Sequence, residues 1–369
     1  MSDPRLERLA RLITGYSLDL QPGEVVRLEG SEAGESLLLE LYRAALRLGA
    51  NPYLDLSIDR LAELMVAEGS DEQLAHVARL EWDELEVLDA AVTVWGETNT
   101  RAFTNADPDR HGRRLAARQS LIRRTWERIA AAEMRWCGTL APANAFAQDA
   151  EMSLADYEDF VFGACHVDGE DDPVEYWRAV SSELGAQAER LTGVSELRIL
   201  GPDTDLRLGV GGRGWEVADG RVNMPDGEIF TSPVEDATEG EIRFTFPALY
   251  AGREVTDVRL RFEGGRVVAS EAARGGEFLE SLLDRDAGSR ILGEAAFGLN
   301  YGIDRFTGNI LFDEKIGGTV HVALGSSFPE VGGRNDSSLH WDLICDLRAD
   351  GEVHADGELV WKAGRFLDG

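Results

Sequence analysis

The chain has 369 residues, of which 43% are hydrophobic and 8% aromatic, a composition that suits two globular domains with sizeable cores. Its 68 Asp and Glu against 37 Lys and Arg give a formal net charge of −31, which argues against nucleic acid or an anionic membrane as a partner. Three widely spaced cysteines (Cys137, Cys165 and Cys345) predict neither a disulfide framework nor a cysteine zinc site.

The first predicted element is an amphipathic helix over residues 4–18, in which apolar side chains recur at helical spacing. This charged segment differs from the apolar core of a secretion signal, and no later apolar run approaches the ~20 residues that span a bilayer. We therefore expect a cytoplasmic protein.

Strands and helices alternate through the first half of the chain, a pattern typical of a parallel sheet. The predicted strands cover residues 24–28, 52–56, 90–95 and 134–138. The predicted helices that follow the first one cover residues 34–48, 71–85, 110–133, 153–164 and 173–191. We expect residues 1–190 to form an N-terminal α/β domain with a parallel sheet.

From about residue 195 the predicted segments become short and β-rich, and glycines separate them. Turn dipeptides such as Asp219-Gly220 and Gly264-Gly265 are typical of hairpins. The predicted strands cover residues 196–199, 205–210, 241–246, 258–263 and 266–269, and one helix covers residues 273–285. We expect residues 191–369 to form a β-rich, mainly antiparallel α+β domain.

Two of the six histidines lie in segments that suggest a ligand role. His321 lies in a predicted strand that places Val320 and Val322 on the opposite face, although a single strand histidine is more often a hydrogen-bonded core residue. His340 and Asp342 are two residues apart in a predicted strand. Their side chains therefore share one face, where an imidazole and a carboxylate can bind a divalent metal together.

Two glutamates add carboxylates to this part of the chain. Glu228 ends the turn Asn-Met-Pro-Asp-Gly-Glu (223–228), and Glu294 lies among apolar residues. A buried carboxylate is costly unless a cation neutralises it, so Glu294 is expected to have a cationic partner or a metal. Carboxylates together with imidazoles suit zinc, cobalt, manganese or iron.

Five segments of the C-terminal half, taken together, resemble the thermophilic aminopeptidase family, the M29 metallopeptidases, which are leucyl aminopeptidase-like. They span about 120 residues in the order that the family has, whereas the N-terminal half carries no diagnostic motif. The segments are NMPDGEIF (223–230), LGE (292–294), NILFDEKIGG (309–318), HVALGSSFPE (321–330) and NDSSLHWD (335–342).

The resemblance implies a site for two divalent metal ions (zinc, cobalt or manganese) with five protein ligands: Glu228, Glu294, His321, His340 and Asp342. It implies Glu294 or Glu314 as the catalytic general base. The family usually carries a tyrosine near the metals where this chain has Phe328. A phenolic hydroxyl that could hydrogen-bond a tetrahedral intermediate is therefore absent.

The implied activity is that of a metal-dependent aminopeptidase. Two metals would activate a water molecule and polarise the scissile carbonyl, which releases the N-terminal residue from short peptides. The abundance of carboxylates suits a substrate with a cationic amino terminus. The resemblance further implies a homodimer whose active sites face an enclosed cavity.

Two alternatives stay open at this point. His321, His340 and Asp342 alone form the two-histidine, one-carboxylate set of non-haem iron oxygenases, and some ring-cleaving dioxygenases of hydroxylated pyridines resemble this peptidase family. The presence of both Glu228 and Glu294 favours the peptidase. The other alternative is a non-catalytic binding protein that kept the fold, and Phe328 is the feature that favours it.

Overall fold

The computed structural model describes residues 3–367 and divides the chain into two compact units. The first unit is the chain up to Tyr176 together with Gly220–Pro225, and the second is Trp177–Asp219 together with the chain from Asp226 onwards. No helix among the described residues is long and apolar enough to cross a membrane.

The elements of the first half alternate between helix and strand. In chain order they are α1 (Pro4–Leu12), β1 (Val25–Ser31), α2 (Glu35–Arg47), β2 (Asn51–Ser57), α3 (Asp59–Glu68), α4 (Asp71–Ala75), α5 (Arg79–Leu85), β3 (Ala90–Trp95), α6 (Pro108–Ala130), β4 (Arg135–Leu140), α7 (Asn144–Asp149) and α8 (Leu154–Ala164).

Short strands dominate the second half. In chain order the elements are α9 (Pro173–Leu191), β5 (Glu196–Gly201), β6 (Thr204–Gly209), β7 (Glu216–Ala218), β8 (Asn223–Met224), β9 (Glu228–Thr231), β10 (Thr238–Phe244), β11 (Ala248–Tyr250), β12 (Arg253–Val255), β13 (Val258–Glu263), β14 (Arg266–Glu271), α10 (Gly276–Leu283), β15 (Leu292–Gly298), α11 (Ile310–Asp313), β16 (Thr319–Gly325), β17 (His340–Asp346), β18 (Glu352–Ala355), β19 (Glu358–Lys362) and β20 (Arg365–Phe366).

The first unit is built on a parallel sheet with strand order β2-β1-β3-β4-β8. The single helix predicted over residues 71–85 is wrong, because the chain forms two short helices, α4 and α5, in its place. His76 and Ala78 are extended, and the side chain of Glu81 accepts a hydrogen bond from the Ala78 N–H at 3.1 Å. This N-terminal cap starts a new helix where the apolar periodicity alone predicts a continuous one.

The second unit contains an eight-stranded sheet, β14-β13-β10-β6-β5-β18-β19-β20, and a five-stranded sheet, β17-β16-β15-β9-β7. Their neighbouring strands pair antiparallel. One hydrophobic core takes side chains from both sheets, from α9 and from α10. The predicted fold class, a parallel α/β part followed by a mainly antiparallel α+β part, is confirmed.

Helix α9 belongs mostly to the second unit, because Leu184, Ala188 and Leu191 lie in that core. The division between the units therefore falls near the start of α9, whereas the boundary predicted near residue 190 falls at its end.

Candidate metal centre

Four neighbouring strands carry the five predicted ligands. The register pairs Glu294 of β15 with Ala323 of β16, and Ala323 with Asp342 of β17. Residues paired directly across a sheet project from the same face, and so do residues two apart in one strand. One face of the five-stranded sheet therefore presents all five side chains: Glu228, Glu294, His321, His340 and Asp342.

Four other positions of this face beside the ligands hold very small residues, namely Ala296, Gly298, Ala323 and Gly325, while Phe230 and Ile344 are the larger side chains of the face. The opposite face of the same strands carries large core side chains such as Phe297 and Leu343. Space for ions and a substrate is therefore left on one face alone.

The five side chains form a continuous row, which we call the ligand row. Nε2 of His321 lies 3.6 Å from Oε2 of Glu228 and 3.7 Å from Oε1 of Glu294. Nε2 of His340 lies 3.3 Å from Oε2 of Glu294 and 3.7 Å from Oδ1 of Asp342. Ligand atoms of Glu294, His340 and Asp342 all lie within 4.8 Å of one another. Glu294 is thus the central member, with one oxygen facing each imidazole.

Backbone carbonyls orient both imidazoles. Nδ1 of His321 lies 2.9 Å from the carbonyl oxygen of Glu314, and Nδ1 of His340 lies 3.0 Å from that of Ser326. A carbonyl oxygen only accepts hydrogen bonds, so each Nδ1 donates a proton. Nε2 is then the atom that faces the carboxylates, as in metal-binding histidines whose other nitrogen is held by a backbone carbonyl.

A β-bulge at Gly293 turns Glu294 toward the row. Leu292 pairs with Leu324, which faces the core, whereas Glu294 pairs with Ala323, which faces the site. In a regular strand Leu292 and Glu294 would share a face. The extra residue reverses this relation, and bulges are common beside active sites for this reason.

The segment that leads into His340 is held by Asp286. One carboxylate oxygen of Asp286 accepts hydrogen bonds from the N–H and the hydroxyl of Ser338, each at 2.8 Å, and the other accepts one from Ser337 at 2.8 Å. The side-chain amide of Asn335 donates to the carbonyls of Gly288 and Gly325. These bonds fix the segment that delivers His340 to the ligand row.

Burial and mutual repulsion disturb the pKa values of the row's outer carboxylates. Burial raises the pKa of Glu228 well above its usual value and that of Asp342 to about 6. The row therefore holds more negative charge than its buried surroundings stabilise, which is the condition in which a bound cation is most favourable.

Glu294 and the two imidazoles stabilise each other's charged forms, so the pKa of Glu294 falls and the pKa values of the imidazoles rise. Burial lowers the histidine pKa values, but contact with Glu294 and the nearby negative charges raise those of His321 and His340 to about 10. Burial also opposes ionisation of Glu294, yet the two imidazoles that face its oxygens lower its pKa to about 2.

The row fits divalent metal ions on two observations. Oε2 of Glu228 and Oδ1 of Asp342 are buried and accept no hydrogen bond, although buried carboxylate oxygens normally have a donor or a cation. Three carboxylates and two imidazoles also form the donor set that zinc, cobalt and manganese accept.

Lys315 lies beside the row, although sequence reasoning did not single it out. Its side chain is fully buried, its Nζ contacts Oε1 of Glu314, and it lies 3.9 Å from Oε1 of Glu228 and 3.9 Å from Oδ1 of Asp226. Burial lowers the pKa of Lys315, but these carboxylates raise it above its ordinary value. The one available sequence signal is rarity, because the chain has two lysines.

Two aromatic side chains adjoin the other end of the row. The ring of Phe328 lies 5.3 Å from the ring of His340, edge to face, and 4.9 Å from the ring of Phe230. Both phenylalanines are partly exposed. They form an apolar wall next to a strongly acidic site.

Comparisons with known proteins identify a family and relatives that match nearly the whole chain. The thermophilic metalloprotease (M29) family matches residues 2–366. The chain is 26% identical to Aminopeptidase 2 of Geobacillus stearothermophilus, an alignment that covers 99% of this chain and 98% of that protein. It is 28% identical to Aminopeptidase T of Thermus thermophilus, with 98% of each chain covered.

Solved structures share the fold. Wild-type AmpT from Thermus thermophilus superposes with a TM-score of 0.88 at 25% identity, and 99% of each chain is covered. A 2,5-dihydroxypyridine dioxygenase from Pseudomonas putida superposes with a TM-score of 0.62 at 15% identity, over 98% of this chain and 96% of the other. At that identity the second likeness concerns the fold alone.

Proposed function

The chain belongs to the M29 thermophilic metalloprotease family, and on this premise we propose that two divalent metal ions enable it to release the N-terminal residue of short peptides. The aminopeptidase names of its relatives support metal-dependent aminopeptidase activity. The observation that carries the proposal is the ligand row itself, with Glu294 between two oriented imidazoles and an unsatisfied carboxylate oxygen on each of the two outer members.

Charge balance supports two ions rather than one. Four carboxylates at the site exceed the ammonium of Lys315 by three formal negative charges, which is more than one divalent ion carries. A mostly buried site tolerates little uncompensated charge. The carboxylates counted here are Glu228, Glu294, Glu314 and Asp342.

Glu294 and Glu314 have different proposed roles. When bound, the ions would lower the pKa of a water molecule and polarise the scissile carbonyl. Glu294 suits a shared ligand, because each of its oxygens already faces an imidazole. Glu314 is partly exposed and lies outside the row, while its charge acts on both Glu228 and Asp342. We therefore assign to Glu314 the general base that takes a proton from the attacking water and returns it to the leaving amine.

The surroundings suit a peptide with a free amino terminus. The excess of carboxylates attracts a cationic α-amino group, and the apolar wall of Phe230 and Phe328 can contact the first side chain. We extend the proposal to a homodimer, which the resemblance to the family supports, and to a cytoplasmic location, which the few and widely spaced cysteines support.

The dioxygenase alternative shares the fold and the set His321, His340 and Asp342. That reaction requires one iron and does not need the two additional carboxylates. Because Glu228 and Glu294 both belong to the ligand row, a site for two ions and the peptidase reaction are the better supported pair.

The test uses chelator-stripped protein reloaded with zinc, cobalt or manganese, with leucine p-nitroanilide and dipeptides as substrates. We expect metal-dependent cleavage of free amino termini and none of N-acetylated analogues. Glu294→Gln should lose both metal and activity, Glu314→Gln should keep metal but lose turnover, and Glu358→Gln, an exposed glutamate of β19, should behave as wild type. Absence of cleavage with every metal would refute the assignment, and iron-dependent oxygen uptake with hydroxypyridines would favour the dioxygenase.

A further inference from the structure

Lys315 occupies an unusual position for a lysine. Its side chain has no exposed surface, whereas Lys362, the second lysine of the chain, is 57% exposed and pairs with Glu352 on the sheet surface. A buried ammonium persists only where negative groups compensate the loss of hydration. The groups around Nζ of Lys315 are the carboxylates of Glu314, Glu228 and Asp226.

The two oxygens of Glu228 face different partners. Oε1 lies 3.9 Å from Nζ of Lys315, and Oε2 lies 3.6 Å from Nε2 of His321. The lysine therefore neutralises one side of the carboxylate and leaves the other oxygen, which accepts no hydrogen bond, directed at the imidazole. Glu314 adds to this arrangement, since its side chain contacts the ammonium and its carbonyl orients His321.

The other end of the ligand row does not depend on the lysine. Glu294, His340 and Asp342 place their ligand atoms within 4.8 Å of one another, and among residues 3–367 no ion pair joins Lys315 to any of these three. The row thus has a lysine-supported end at Glu228 and His321 and a self-contained end at Asp342 and His340.

We propose that Lys315 is a positioning residue that determines occupancy of the metal position between Glu228 and His321, and leaves the position at Glu294, His340 and Asp342 unaffected. This inference rests on the proposed two-metal function. Without the ammonium, the buried carboxylate of Glu228 and the partly exposed carboxylate of Glu314 lose the cation that they share, and Glu228 turns away from His321. That movement removes a ligand from one position only.

The first experiment titrates metal-stripped proteins with zinc or cobalt alone and measures stoichiometry and affinity by calorimetry. Wild type should bind two equivalents. Lys315→Met, of similar length but without charge, should bind one equivalent normally and the other roughly 10- to 100-fold more weakly, the usual effect of removing a partner of a metal ligand. Lys315→Arg should recover part of the loss, and Lys362→Met should match wild type.

The outcomes separate this inference from the function on which it rests. Two normal equivalents in Lys315→Met, or a tighter second equivalent because a repelling cation is gone, would overturn the role of Lys315 and leave the two-metal proposal intact. A wild type that binds one ion or none would overturn the two-metal proposal together with this inference. Thermal unfolding of the stripped variants identifies any that fail to fold.

A second measurement avoids substitution at the buried site. Because the chain has two lysines, wild type labelled with ¹³C-lysine should give two Cε signals, which Lys362→Met assigns. The Lys315 signal should shift with one equivalent of zinc and not with the other, while the Lys362 signal stays constant. A Lys315 chemical shift that changes with neither equivalent of zinc would refute the proposal.

Discussion

The carbonyl oxygen of Ser326 lies so close to Gly293 that a Cβ added to residue 293 would stand 2.0 Å from it. The same oxygen lies 3.0 Å from Nδ1 of His340. The absence of a side chain at Gly293 is therefore what permits Ser326 to orient His340, while the bulge at this position turns Glu294 toward the ligand row.

Gly293→Ala should for this reason impair metal binding although no ligand is changed. The added methyl group must displace Ser326, and His340 loses its orientation, so we expect metal affinity to fall roughly 10- to 100-fold. Gly185→Ala is the matched control. Gly185 lies in α9, and a Cβ added there meets no atom within 4 Å. Metal titration of both variants checks the prediction, and equal affinities would contradict it.

Asp286→Asn should lower metal affinity although Asp286 is not a predicted ligand, because it holds the segment before His340. Hydrogen bonds from the backbone and hydroxyl of Ser338 and from Ser337 hold the pKa of Asp286 below its usual range, so an ionised acceptor is required there. An amide replaces one acceptor oxygen by a donor, which frees the segment before His340. We expect metal affinity to fall by about tenfold, measured against Asp350→Asn, an exposed surface control. Unchanged affinity would show that the segment holds His340 without Asp286.

Phe328→Tyr should raise turnover. The ring lies beside His340, so a hydroxyl on it can reach a reacting carbonyl oxygen near the row. One additional hydrogen bond to the transition state is worth about 1.4 kcal/mol, or about tenfold in kcat. Metal content should not change, and Phe230→Tyr, on the other ring of the apolar wall, should give no comparable gain. A lower kcat in Phe328→Tyr would mean that the apolar wall needs a phenylalanine there.

Stability of the metal-stripped protein should fall as pH rises. The pKa values of His321 and His340 are about 10 in the folded chain and about 6.5 when unfolded. The folded state binds these protons more tightly, so their contribution is complete below pH 6.5 and is lost as pH approaches 10. Denaturant unfolding at pH 6.5, 8 and 9.5 measures this slope. Saturating zinc should abolish it because metal replaces the protons, and His354→Gln should retain it.

The chemistry of the site was more accessible from sequence than its geometry. Strand alternation alone places His340 and Asp342 on one face, whereas their grouping with Glu294 was implied by the resemblance to the family. That the five predicted ligands converge is a property of strand register, which local patterns do not contain. The bulge at Gly293 reverses the face that alternation would assign to Glu294 relative to Leu292.

Supporting residues left even less signal in the sequence. Lys315 and Asp286 are charged residues among many, and their importance comes from partners distant along the chain: Lys315 lies near Glu228, and Asp286 bonds Ser338. The break between α4 and α5 was missed for a different reason, since a side-chain cap at Ala78 and Glu81 overrides an apolar period that continues through it. Local sequence patterns identify residues that can bind metal, whereas contacts between distant parts of the chain determine which of these residues are held in position.

The ligand row also links positions far apart in the chain, since its members range from Glu228 to Asp342. Facing atoms of neighbouring members lie no more than 3.7 Å apart. An ion held by several of them is a cross-link, and a cross-link restricts the unfolded chain most when it closes long loops. Removal of metal should therefore accelerate amide hydrogen exchange in β9, β15, β16 and β17, strands whose backbone bonds the ions never touch. The widely spaced cysteines of this chain predict no disulfide framework. Bound metal would therefore restrict the unfolded chain as disulfide cross-links do in other proteins.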